Sequence, residues 1–139
     1  MPAINLFVID GNVTRDPELR YTTKGTPTTT YVVAVDRVFV DADQQKHEEA
    51  DFLPVTTYGR QAENDAKYLK RGAAVTVKGQ IRSWYDPQAK RGGLRLEAET
   101  VVYQGRPGRA AAAMPKAPDD DWLRQYDATV AQQSRPGKD

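Results

Sequence analysis

The sequence predicts an all-β fold, a small barrel of five strands with one helix between the third and the fourth, and three observations predict it. The run Thr28-Thr29-Thr30-Tyr31-Val32-Val33-Ala34-Val35 is the strongest strand signal, because side chains branched at Cβ fit a pleated surface and fit a helix poorly. Two later segments alternate with a period of two: Val75, Val77 and Ile81 against Thr76, Lys78 and Gln80, then Leu94, Leu96, Ala98, Thr100 and Val102. Helical spacing is convincing over 60–70, where Ala62, Ala66 and Leu69 share a face and Gly72 is placed to stop the helix.

Taken in order, residues 4–13 are β-branched or apolar with few helix formers and read as the first strand. Asp16-Pro17 interrupts it, and Lys24-Gly25-Thr26-Pro27 supplies a turn into the second strand, 28–35. Residues 41–50 are polar and charged and read as a loop leading to a third strand, 52–58. Pro54 lacks an N–H, so it belongs at an edge, a bulge or the strand's first residues. After the helix, 74–83 is the fourth strand, 86–93 a polar, glycine-ended hairpin loop, and 94–103 the fifth strand. Three strands, a helix and two strands is the order of the OB barrel, whose groove binds oligonucleotides, although other small barrels share that order.

The chain has 139 residues, enough for one domain with a real core plus some length that need not fold. A formal net charge of +1 announces no partner, so distribution says more. Arg60, Lys67, Lys70, Arg71, Lys78, Arg82, Lys90, Arg91 and Arg95 meet only Glu63, Asp65 and Asp86 in the same stretch. Upstream, Asp36, Asp41, Asp43, Glu48, Glu49 and Asp51 outweigh Arg37 and Lys46. A positive side and a negative side are expected; the plain alternative is two solvated surfaces. Absence of cysteine excludes structural disulfides, thiolate zinc sites and a cysteine nucleophile. No run of residues matches a signal peptide or the span of a bilayer, so a soluble, cytoplasmic protein with no membrane partner is expected.

Phe39, Phe52, Tyr58, Trp84 and Tyr85 are interleaved with Arg60, Lys70, Arg71, Lys78 and Arg82. A flat ring stacks on the face of any base, at roughly 1–3 kcal/mol per base, while lysine and arginine neutralise phosphates without reading sequence. The mixture points to a binder of exposed single strands. For Phe52 and Tyr58 the alternative is a place in the core, to which Phe7 and Tyr31 are assigned; Tyr103 is open.

Five motifs in order carry a resemblance: Gly11-Asn12-Val13-Thr14-Arg15-Asp16-Pro17-Glu18-Leu19-Arg20-Tyr21, Ala50-Asp51-Phe52, Tyr58-Gly59-Arg60-Gln61-Ala62-Glu63, Tyr68-Leu69-Lys70-Arg71-Gly72 and Val77-Lys78-Gly79-Gln80-Ile81-Arg82. Over residues 4–103 the chain resembles the bacterial single-stranded DNA-binding proteins. The resemblance implies an OB fold, a homotetramer, and sequence-independent wrapping of single-stranded DNA in replication, recombination and repair, with no cofactor. It also implies that Phe39, Phe52, Tyr58 and either Trp84 or Tyr85 stack on bases and that Arg60, Lys70, Arg71 and Arg82 meet phosphates.

Two departures from the family pattern stand out. Family members usually end in an acidic tip, closed by proline and phenylalanine, that recruits replication and repair enzymes. Here Asp119, Asp120, Asp121 and Trp122 resemble that tip but lie inside the chain, either a displaced partner-binding segment or a solvated acidic stretch. Leu53-Pro54 replaces residues more often polar near the subunit contacts. Such changes suit an accessory copy carried by a plasmid, phage or integrated element. The sequence divides into a binding domain, 1–105, and a tail, 106–139, in which no periodic apolar pattern returns and mobility is expected. Two rivals are a primosome-type OB adaptor and a nuclease. The second is disfavoured because the tight acidic cluster lies in the tail and His47, the single histidine, sits beside Glu48 and Glu49.

Overall fold

In the computed structural model, which describes residues 3–104, the chain forms β1 (Phe7–Val13), β2 (Glu18–Tyr21), β3 (Pro27–Val40), β4 (Lys46–Tyr58), α1 (Gly59–Tyr68), β5 (Ala74–Asp86) and β6 (Arg91–Tyr103). The strands lie in the order β1-β5-β6-β4-β3-β2, and β1 pairs with β3 as well, which closes the sheet into a barrel. Closure turns on β1: Phe7 to Asn12 pair with β5, then Asn12 and Val13 pair with β3. The other seam is narrow, a parallel pairing of Val55 with Leu96 and Thr56 with Glu97. Pro54 lies one residue before that pairing begins, so its missing N–H interrupts no bond to β6.

The five expected strands and the helix between the third and fourth of them are present, with β2 in addition. All four residues of β2 are exposed, so no buried face gives it a period; its antiparallel ladder with β3 holds it. Two expected loops are corrected. Residues 46–50 are not loop but the start of β4, paired with residues 36–40, so β3 and β4 project as a long hairpin arm with a turn of only 41–45. Likewise 91–93 belong to β6, and the β5–β6 turn is 87–90. Polarity misleads at both places because an arm beyond the barrel is solvated on both faces and needs no alternation. Each turn is built by an aspartate: Asp41 Oδ1 accepts from the N–H groups of Asp43 and Gln45 at 2.9 Å, and Asp86 Oδ1 from those of Gln88 and Ala89 at 3.0 and 3.3 Å.

Alternation then sorts the side chains. Phe7, Val13, Tyr31, Val33, Val55, Val75 and Val77 point inward and, with Leu69, form the core, against which Ile9, Val35, Leu96, Ala98 and Val101 pack. The placement of Phe7 and Tyr31 agrees with the sequence reading. The helix starts one residue earlier and ends two sooner than expected, and its buried residues are Ala62 and Asp65 rather than Ala66. Gly59, at φ +67°, turns the chain from β4 straight into α1. Thr29 Oγ1 donates to the Ala62 carbonyl at 2.8 Å and docks the helix on β3.

The buried Asp65 is the hub of a polar network. It accepts from Tyr103 Oη at 2.7 Å, Gln61 Nε2 at 2.8 Å and Tyr31 Oη at 3.2 Å. Burial raises its pKa above the ordinary carboxylate range, and those hydrogen bonds offset the rise only in part. The same burial, then the neighbouring carboxylate, drives the Tyr31 phenol upward. Burial and the hydrogen bond to Asp65 do the same to Tyr103. Tyr103, which the sequence leaves open, therefore joins the helix to β6.

Candidate nucleic-acid interface

The outer surface of β3, β4, β6 and β5 is one continuous face. Val55 belongs to the core on β4, so alternation sets Phe52, Pro54, Thr56 and Tyr58 on the other side of the strand, beside Ala34, Val32, Thr30 and Thr28; Thr56, Ala34, Val32 and Thr28 are buried there, while Phe52, Pro54 and Tyr58 are half-buried. On β6 Leu96 packs against the core, and its register partner Ile81, 38 % exposed, shares its side, which leaves Gln80, Arg82 and Trp84 on the other, facing Glu97, Arg95 and Gly93. Thr56, Glu97 and Gln80 fall on one paired level, and counting on from it past the end of the β4–β6 pairing sets Pro54 level with the Arg95–Arg82 pair and Phe52 level with the Gly93–Trp84 pair. Rings thus flank a level of cations. Phe52 and Tyr58 are about 20 Å apart along β4, and Trp84 lies roughly 10 Å across from β4.

Register also separates the neighbours Trp84 and Tyr85. Trp84 is half-buried and shares the face of Phe52 and Tyr58. Its indole rests over Gly93, where an added Cβ would lie 3.2–3.4 Å from Nε1, Cζ2 and Cε2; the missing side chain leaves room for the ring. Tyr85 points to the opposite side of the hairpin and is 62 % exposed.

Phe39 occupies the arm on the other face from Phe52, since 31, 33, 35, 37 and 39 share one side of β3. Its ring stacks on His47 at a centroid distance of 5.0 Å and an angle of 18°, with the Arg37 guanidinium 5.4 Å from its centre. Arg37 in turn pairs with Glu49 at 2.9 Å and Asp51 at 3.3 Å. At the tip, His47 Nε2 lies 2.6 Å from Asp41 Oδ2, and this hydrogen bond, with those from the turn backbone, lowers the Asp41 pKa. The acidic residues of the arm are therefore interleaved with cations and a ring.

The basic residues divide into two groups. Arg82 is on the ring-bearing face itself. Arg60 is exposed on the first turn of α1, and Lys70 and Arg71 are exposed in the turn that follows it, off the strands that carry the rings. Asp16 Oδ1 accepts the Arg71 backbone N–H at 2.8 Å and fixes that turn. Two residues absent from the sequence-based site belong to this face. Arg95 lies opposite Arg82, and Glu97 binds both. Their signal was available in the alternation of 94–103, but it becomes a position only once the β5–β6 register is known. Asp119, Asp120, Asp121 and Trp122 lie outside the described residues. Among the described residues no group of three or more histidine and carboxylate side chains gathers as a metal site, and no helix is long and apolar enough to cross a membrane.

A closed barrel of this strand order, with one helix bridging its third and fourth long strands and an aromatic, cationic outer face, defines the OB class. The model of the Single-strand binding protein family matches residues 4–104, and the chain belongs to that family. Similar proteins are the single-stranded DNA-binding protein of Clostridium tetani, 40 % identical over 100 residues, which cover 71 % of this chain and 66 % of the relative. Single-stranded DNA-binding protein A of Bacillus subtilis is 40 % identical over 103 residues, 72 % of this chain and 59 % of the relative. The chain thus spans about two thirds or less of either relative's length. A crystal structure of a deletion mutant of the single-stranded DNA binding protein from Thermus aquaticus superposes with a TM-score of 0.67 at 27 % identity, covering 76 % of this chain and 53 % of that one.

Proposed function

We propose that the barrel binds single-stranded DNA without regard to sequence, stacking bases on Phe52, Tyr58 and Trp84 and placing phosphates by Arg82 and Arg95. The observation that carries this reading is the shared face: two half-buried rings on β4 and one on β5 with arginines on the level between them. Phe39, Arg60, Lys70 and Arg71 extend the path along the arm and past the helix, where a strand wrapped around the barrel meets them. Duplex DNA is a poor ligand, because its bases already stack on one another and offer no free faces. Membership of the Single-strand binding protein family and the likeness to single-stranded DNA-binding proteins favour strand binding over the adaptor role; the cellular role that goes with this proposal is protection of single strands in replication, recombination and repair.

The assembly is a homotetramer in the cytoplasm, and the binding domain ends near 105. Ile4, Leu6 and Val8 are exposed apolar residues on and before β1, a surface suited to contact with another copy. The segment Asp119 to Trp122 is the candidate for recruiting replication or repair proteins. No catalysis is assigned.

The test is anisotropy of a labelled oligothymidine at several salt concentrations, together with light scattering of the protein and its complex. Binding is expected to weaken linearly in log–log form with a slope of about −0.7 per neutralised phosphate. Failure to bind at low ionic strength, or a preference for duplex, overturns the reading.

A further inference from the structure

Arg82 and Arg95 stand directly opposite one another on β5 and β6. Like charges in that position repel, and Glu97, two residues along β6 on the same face, answers both of them. Its carboxylate lies 2.9 Å from Arg95 Nε and 3.6 Å from Arg82 Nε. It also accepts the Tyr58 hydroxyl at 3.4 Å. One carboxylate between two guanidiniums leaves the trio with a single positive charge. The Arg95 side chain is only 12 % exposed, and its Nη1 is buried with no hydrogen-bond acceptor among the described residues. Arg82 remains 58 % exposed and open to solvent. The trio therefore has donor capacity that Glu97 does not use.

We propose that Glu97 is an internal stand-in for a phosphodiester. In the DNA-free protein it fills the anion position between Arg82 and Arg95, and it competes with the backbone of a bound strand for the same two arginines. The inference rests on the single-strand reading above and adds an acidic residue that limits affinity and speeds release. Guanidinium groups use the same planar fork of donors for carboxylate and for phosphate. A phosphate that docks on this level must displace Glu97 or share its partners, so the strand gains less there than two arginines would give.

Glu97→Gln keeps the volume and one acceptor oxygen for Arg95 and Tyr58 while removing the charge. It is expected to bind a labelled oligothymidine roughly tenfold more tightly at low salt, to release it more slowly, and to steepen the log–log salt slope by about 0.7, one added phosphate contact. Glu18→Gln removes the same charge beside Arg20 on β2 and leaves affinity unchanged. Equal or weaker binding by Glu97→Gln at an unchanged Tm overturns the proposal and makes Glu97 a strut. Should Glu97→Gln melt below the assay temperature, Glu97→Thr, which suits a strand and keeps a hydroxyl acceptor, replaces it with the same expectations. Absence of binding by the wild-type chain defeats the single-strand reading itself; normal wild-type binding without a gain in the variant defeats only the role of Glu97.

Discussion

Trp84 and Tyr85 are adjacent in the chain and chemically alike, yet β-strand alternation sends them to opposite faces. A truncation pair therefore separates location from composition. Trp84→Ala is expected to lower single-strand affinity by roughly 1–3 kcal/mol with the melting temperature nearly unchanged. Tyr85→Ala should leave the titration where it was. The reverse pattern in an anisotropy titration would mean that the hairpin is read from its other side. Arg95 shows the same dependence on register: in the sequence it is one more basic residue, and in the fold it becomes the partner of Arg82 and Glu97.

Two backbone positions govern how the elements join. Gly59 has φ +67°, and a Cβ there would meet nothing within 4 Å. Gly59→Ala therefore probes the left-handed backbone alone, and urea unfolding should show a loss of about 1–2 kcal/mol, partly recovered in Gly59→Asn. Gln44, at φ +64°, occupies that same region at the arm tip without being glycine. Gln44→Gly should stabilise the protein by about 1 kcal/mol or less, since relief of the backbone is offset by the greater freedom of glycine in the unfolded chain. A drop in the urea midpoint for Gln44→Gly would show that the Gln44 side chain contributes more than its backbone costs. Both arms owe their length to paired backbone rather than to burial, which is why polar composition disguised residues 46–50 and 91–93 as loop.

For the whole barrel, the buried Asp65 couples stability to pH. Its pKa is raised in the folded state, first by burial, so between the unfolded carboxylate value of about 3.9 and the raised folded value the native state holds more protons than the unfolded state. Stability contributed by this group is thus full below the unfolded pKa and is lost as pH rises through the folded one. Melting temperatures taken across mildly acidic pH should fall with rising pH more steeply for the wild-type chain than for Asp65→Asn. Parallel curves would show that Asp65 titrates alike in both states. The sequence reading placed Ala66 rather than Asp65 on the buried helix face, because helical period alone ranks an aspartate outside. Tyr31, Gln61 and Tyr103 come from three different elements, and only their convergence makes an interior carboxylate tolerable.

The sequence alone determined five of the six strands and their succession along the chain, the helix and the set of rings and cations, because period-two alternation, Cβ branching and helical spacing act within a few residues of one another. It also carried the family motifs. Tertiary structure alone decided which rings share a face, that Arg95 and Glu97 belong with Arg82, and that Asp65 is interior. Those facts depend on register between strands distant in sequence, and a shift of one residue would exchange the two faces.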